Sequence, residues 1–247
     1  MKTIVLPAED CVSAAAERLI RQLEKKKDST LALDAGDDVL RVLRRAAAMT
    51  GERGLSLREA RVFAVCEFEG LAPDDPNCAR RRLAEAFFAV SDADERRLFI
   101  PDPADPKAYD ALIERAGGID LALLGLGDNA RVGFNEPATQ FDTNTHVQKL
   151  TDRTKRELAA LFGGEEQVPP RGVTMGFQQL CFARDIVLVA FTEEKSTAVF
   201  HMLYGRDDSV YPAAFLQLPP NVTVFADGAA AAKLDGKSFD AVNFNGD

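Results

Sequence analysis

Short apolar runs, separated by stretches whose apolar residues recur at helical spacing, constrain this chain more than any other feature. Runs at residues 2–6, 30–33, 60–68, 98–100, 119–124, 185–191 and 222–226 have the length and composition of strands. Between them the spacing predicts helices. The first starts from a cap at Asp10 or Ser13 and reaches about Lys27, with Ala15, Leu19, Ile20 and Leu23 on one face. The second follows residues 34–38, carries Val39, Leu40, Val42 and Leu43, and is expected to end before Gly51. Further helices are expected at 79–90, 107–116, 151–162, 178–183, 195–204 and from 212, with residues 172–176 leading into one of them and a helical turn at 229–233. The Asn- and Asp-containing tail beyond is expected to be mobile. Such alternation predicts a three-layer α/β fold, one domain over 1–247, with a mainly parallel sheet between helices. Ligands of such sheets bind at the carboxyl ends of the strands. The segments after Leu33, Phe68 and Leu124 are therefore expected to converge.

Composition narrows the partners. Hydrophobic residues make up 46% of the 247, enough for a sizeable core. Asp and Glu total 39 against 30 Lys and Arg, a net charge of −9. That excess argues against nucleic acid or an anionic membrane as a partner, while a small phosphorylated ligand needs only a local positive site. Cys11, Cys66, Cys78 and Cys181 match no metal or redox spacing, so a reducing cytoplasmic interior is expected. The apolar run at the start is too short for a signal peptide, and no run approaches a membrane span. Only two histidines are present, His146 and His201. Any mechanism that needs a base titrating near neutrality is therefore restricted.

One loop carries the chemistry. After the apolar run at 119–124 comes Gly125-Leu126-Gly127-Asp128-Asn129-Ala130-Arg131-Val132-Gly133-Phe134-Asn135-Glu136-Pro137. Its first glycines could be mistaken for a dinucleotide fingerprint. However, the ribose-binding acid that should follow a second strand about 20 residues on is missing. The segment resembles instead the active-site loop GxGxDGHIAFNEP of the glucosamine-6-phosphate deaminase/isomerase family, which is related to the 6-phosphogluconolactonases. Residues 63–71 are similar to that family's FNMDEYVGL. Val168-Pro169, Val173-Thr174-Met175-Gly176 and Leu216-Gln217-Leu218-Pro219 look like its later segments, in order.

The resemblance implies a sugar-phosphate isomerase/deaminase-like fold, an aldose–ketose isomerisation with release of ammonia, and no metal or cofactor. It also implies a set of departures. The family's base falls at Cys66, its histidine at Arg131, that histidine's acidic partner at Asn129, and only the third member, Glu136, is retained. A thiol with a pKa near about 8.5 is mostly protonated at neutral pH, and a guanidinium does not shuttle protons there. Arg131 and Glu136 are expected to pair within about 4 Å, with Cys66 nearby. The phosphate-gripping turn falls at Gly36, Asp37 and Asp38, and the phosphate lysine at Lys195. Asn135 belongs to the same ligand-binding set. The phosphate arginine falls near Ala160, with Arg156 one turn away. Asp37 or Asp38 is expected to meet Lys195 across the phosphate space. Allosteric basic positions of some members fall at Asn144, His146 and Gln148. His146 thus reads as peripheral and His201 as a core-edge residue of its helix.

The first functional expectation is therefore a deaminase/isomerase homologue without the standard activity, a diverged or non-catalytic protein that binds a sugar or sugar phosphate. An active isomerase with an altered substrate is the second, and a 6-phosphogluconolactonase-like hydrolase the third. A homo-oligomer is compatible with all three.

Overall fold

The computed structural model describes residues 1–205 and 210–234. The chain runs β1 (Lys2–Val5), α1 (Ala8–Lys25), β2 (Thr30–Leu33), α2 (Asp37–Arg53), β3 (Arg61–Ala64), β4 (Cys66–Phe68) and α3 (Ala79–Leu83). It continues through β5 (Leu98–Phe99), α4 (Pro106–Arg115), β6 (Leu121–Gly125), β7 (His146–Lys149), α5 (Asp152–Phe162) and β8 (Arg171–Thr174). The last part is α6 (Phe177–Cys181), β9 (Ile186–Ala190), α7 (Ser196–Tyr204) and β10 (Val222–Ala226), with short 3₁₀ turns between. The asparagine-containing tail lies outside the described residues.

Seven strands form a parallel sheet in the order β1-β10-β9-β6-β2-β3-β5. Helices α1, α2 and α3 bury one face, and α4, α6 and α7 the other. This is the three-layer α/β architecture that the alternation predicts. β2 and β6 are neighbours, yet the chain leaves β2 toward β3 through α2 and reaches β9 from β6 through elements on the opposite face. The order reverses at that point, which opens a crevice between the carboxyl ends of these two strands.

α1 shows why the elements form. Cys11, Val12, Ala15, Ala16, Leu19, Ile20 and Leu23 are buried along one stripe. Each large aliphatic side chain so buried contributes roughly 1.5–3 kcal/mol. Pro7 occupies the N-cap position with no side-chain cap, so Asp10 lies inside the first turn, where with Glu9 it complements the helix dipole. α2 runs through Gly51 and ends at Gly54, whose φ of 62° closes the helix. Burial of Ala46, Ala47, Met49 and Thr50 along the last turns outweighs the roughly 1 kcal/mol cost of a helical glycine.

The run at 60–68 is two strands rather than one. Val65 N–H still donates to Leu33 O of the main sheet, while Val65 O accepts from Met175 N. From Cys66 on, the chain pairs antiparallel with β8, which pairs antiparallel with β7. This second, three-stranded sheet includes β8, whose residues 172–174 belong to the stretch 172–176 read from sequence as a lead into a helix, and β7, which carries no apolar alternation to reveal it. The helix expected at 79–90 is a short α-helix continued by a π-helical turn at Ala84–Phe88. His146 lies on β7 with Nδ1 2.9 Å from Asn144 O, and the His201 ring stacks on Tyr211 at 3.7 Å.

Candidate active site

A cleft of about 520 Å³ opens where the loops after β2, β4, β6 and β9 meet α5 and α3. The three segments expected to converge do so. Gly36, Asp37, Asp38, Cys66, Arg131 and Lys195 all line it. Asn129, Asn135 and Glu136 sit behind the loop and do not.

The signature loop is held in a folded-back turn. Gly127 N donates to Arg131 O and Ala130 N to Gly127 O, each at 3.0 Å, with Ala130 at φ 63°. The Arg131 side chain lies across Gly127, where any Cβ would stand 2.5 Å from Arg131 Cγ. Gly133, at φ 56°, faces Thr174 and Val65; a Cβ there would be 2.7 Å from Thr174 Oγ1. Gly133 is therefore strained by any side chain, and at Gly127 a side chain would have to displace Arg131.

Glu136 is fully buried and braces the loop against α5. Its Oε2 accepts from Asn129 Nδ2 at 2.7 Å and Thr151 Oγ1 at 3.1 Å, and its Oε1 from Thr151 N at 3.2 Å. Asn129 completes the brace by donating to Thr154 Oγ1 and accepting from Arg131 N. A carboxylate at 129 would face Glu136 as a like charge in a dry site. The amide removes that repulsion and supplies the donor.

Arg131 does not pair with Glu136. Its NH2 lies 3.2 Å from Glu157 Oε1 on α5, and its NH1 donates to Gly133 O at 2.7 Å. Asn129 has already taken the Glu136 oxygen that faces the loop, so the guanidinium turns to the carboxylate across the cleft. Burial alone would pull Arg131 down, but Glu157, Glu136 and Asp34 hold it above its already high value. Burial pushes Glu157 up despite the pull of Arg131.

Cys66 is buried near the cleft floor. Burial first, then the neighbouring Asp34 carboxylate, pushes its thiol well above the usual range. It stays protonated, with Sγ 3.9 Å from Asp34 Oδ1. The position that the resemblance assigns to the base therefore carries no charge, and the carboxylate just beyond the end of β2 lies against it. Asp34 Oδ1 accepts from Ala35 N at 2.7 Å and Gly36 N at 3.3 Å, and Oδ2 from Gly125 N at 3.2 Å. The amides of the glycine turn and of the signature loop thus point at a side chain of the protein itself.

The far end of the cleft is closed in the same way. Lys195 Nζ lies 2.5 Å from Asp38 Oδ2, which also accepts from Phe191 N at 3.0 Å. Asp37, almost fully exposed, pairs with Arg82 of α3. The sequence expectation of an Asp37 or Asp38 contact to Lys195 is met by Asp38. Ala160 lines the cleft, whereas Arg156 is exposed and away from it.

Sequence reasoning missed Asp34, Arg82 and Glu157. Asp34 had a signal: a carboxylate directly after an apolar strand, at the end where ligands bind. Glu157 lies three residues before Ala160 and so on the same helical face. Nothing in Arg80-Arg81-Arg82 singles out the third arginine.

Residues 7–225 match the family of glucosamine-6-phosphate isomerases and 6-phosphogluconolactonases. The chain belongs to this family. It is similar to the glucosamine-6-phosphate deaminase of Rhodopirellula baltica, at 37% identity over 241 residues, covering 95% of this chain and 96% of that one. The enzyme of the same name from Halalkalibacterium halodurans is 33% identical over 232 residues, covering 92% and 94%. A solved structure of a monomeric glucosamine-6-phosphate deaminase superposes with a TM-score of 0.91 at 31% identity, covering 94% of this chain and 99% of that one. Among the described residues, no helix is long and apolar enough to cross a membrane.

Proposed function

We propose that this protein is a diverged, sugar-binding member of the deaminase family that does not run the standard deamination of glucosamine 6-phosphate. The observation that carries this reading is the 2.5 Å pairing of Lys195 with Asp38. A phosphate placed there meets a carboxylate already neutralising the cation. Two unit charges at ~4 Å repel by about 4 kcal/mol at an effective dielectric of 20. Asp34 on the amides of the turn adds a second obstacle.

The chemistry points the same way. Deamination by the family route needs a carboxylate that takes a proton between adjacent carbons and a histidine that opens the ring. Cys66 is a neutral thiol, Arg131 is locked in an ion pair, and Glu136 is committed to holding the loop. General acid–base groups contribute roughly 10²–10⁴-fold each, with losses that do not add. What is left is a concave site with an apolar wall from Phe68, Phe134 and Phe191, of a size suited to a monosaccharide. The four unpaired thiols fit a reducing cytoplasm.

The test is an ammonia-release assay with glucosamine 6-phosphate, together with calorimetric titration of inorganic phosphate. Release no faster than a preparation lacking the protein, and no phosphate binding at millimolar concentration, are expected. Ammonia release that is lost on Lys195→Met overturns the reading.

A further inference from the structure

The cleft is lined by five carboxylates, Asp34, Asp37, Asp38, Glu67 and Glu157, and by three cations, Arg82, Arg131 and Lys195. Each cation is matched by one carboxylate: Arg82 by Asp37, Arg131 by Glu157 and Lys195 by Asp38. Two negative charges remain. Glu67 spends its charge on a helix start, accepting from Phe68 N, Ala79 N and Arg80 N, and burial pushes its carboxyl up. Asp34 is the other, and its position differs in kind. It is only 7% exposed, lies at the strand-order reversal, and faces the thiol at the position the resemblance assigns to the base.

A carboxylate offers about four acceptor directions. Three amides take one each at Asp34, and the weak Cys66 thiol lies beyond the range of a strong bond. One strong direction is left on a buried anion with no side-chain cation of its own among the described residues. Arg131 senses its field but is engaged by Glu157 and the Gly133 carbonyl. The amides hold the carboxylate in place but carry no opposite charge, and a ligand cation that reaches it supplies one.

Resting on the reading above that phosphate is excluded, we propose that the cleft takes an unphosphorylated sugar or polyol bearing a primary ammonium group, with Asp34 receiving the ammonium. The ring lies against the apolar wall, and the surplus negative charge of the cleft, like that of the whole chain, favours a cation. The three internal ion pairs close the rest of the rim to anions. Recognition thus shifts from the phosphate end of a sugar to its amine.

The test is calorimetric titration of the wild-type protein with glucosamine, glucose and glucosamine 6-phosphate, repeated for Asp34→Asn. Glucosamine is expected to bind at least roughly tenfold more tightly than glucose, as a charge-assisted hydrogen bond in a buried site requires. Asp34→Asn should erase that preference while thermal denaturation shows the variant folded. The wild-type comparison stands alone if the variant does not fold. Glucose binding as tightly as glucosamine, or no binding of glucosamine at millimolar concentration, overturns the ammonium site and leaves phosphate exclusion standing. Tighter binding of glucosamine 6-phosphate than of glucosamine overturns both.

Discussion

Arg131 and Glu157 meet at 3.2 Å across the cleft, joining the signature loop after β6 to the middle of α5. The pair is largely buried, with side-chain exposures of 10% and 24%. It ties the two walls of the cleft together.

Removing one partner should therefore cost much more than removing both. Arg131→Met leaves Glu157 without its cation, and breaking a pair this buried costs about 3–5 kcal/mol. Arg131→Met with Glu157→Leu should recover most of that loss. Urea denaturation of the two single variants and the double variant measures it. Additive single and double effects would show that the pair is not coupled.

Restoring the family's acid should destabilise the protein. Asn129→Asp places a carboxylate where Asn129 Nδ2 now donates to Glu136 Oε2 at 2.7 Å. One of the two acids must then hold a proton in the folded state, with its pKa above the unfolded value of about 4. The folded state binds more protons than the unfolded one, so stability is lost as pH rises through the folded pKa. Thermal scans should show the variant close to wild type near pH 4 and well below it at pH 7. A deficit that does not change with pH would refute this.

Freeing Lys195 should create an anion site. Asp38→Asn removes the carboxylate at 2.5 Å while retaining an acceptor for Phe191 N. Inorganic phosphate should bind this variant and not the wild type, and added salt should weaken the binding. Calorimetry at two ionic strengths checks both statements.

The thiols predict an alkaline loss of stability. Burial pushes Cys11 up to about 11 and Cys181 up to about 12, and it raises Cys66 and Cys78 as well. Unfolded thiols ionise near about 8.5. Above that pH the unfolded state has released protons that the folded state keeps, so stability falls as pH rises toward the folded values. Each thiol contributes up to about 1.4 kcal/mol per pH unit. Denaturation between pH 8 and 10 should show the fall, and Cys11→Ala should lessen its slope. At pH 8 the native thiols should react slowly with a disulfide reagent and all four rapidly in denaturant.

Gly133→Ala tests the loop geometry. The added methyl would meet Thr174 Oγ1 at 2.7 Å and Val65 Cγ1 at 2.8 Å, at a φ of 56°. A loss of at least about 1–3 kcal/mol is expected, read from the shift of the thermal midpoint.

The amino-acid sequence by itself determined the strands of the main sheet, the places of most helices that cover it and the family, because apolar period and loop motif are local properties. The ends of α2 and the form of the segments at 79–90 and from 212 differ from the expectation. Residues 30–33 and 222–226 are strands at the expected bounds. It also set Asp37 or Asp38 opposite Lys195, once the fold was granted, and the structure gives Asp38. Only the tertiary structure decided the rest. The break of residues 60–68 at Val65 follows from a change of hydrogen-bond partner, from Leu33 to Met175, that leaves no trace in the period. The partner of Arg131 was decided by Asn129, which occupies Glu136 first and sends the guanidinium to α5. The approach of Asp34 to Cys66 depends on the ends of β2 and β3 lying side by side, which brings together the residues just beyond them, 32 apart in the chain. Such contacts are set by long-range pairing and side-chain reach, and a linear pattern encodes neither.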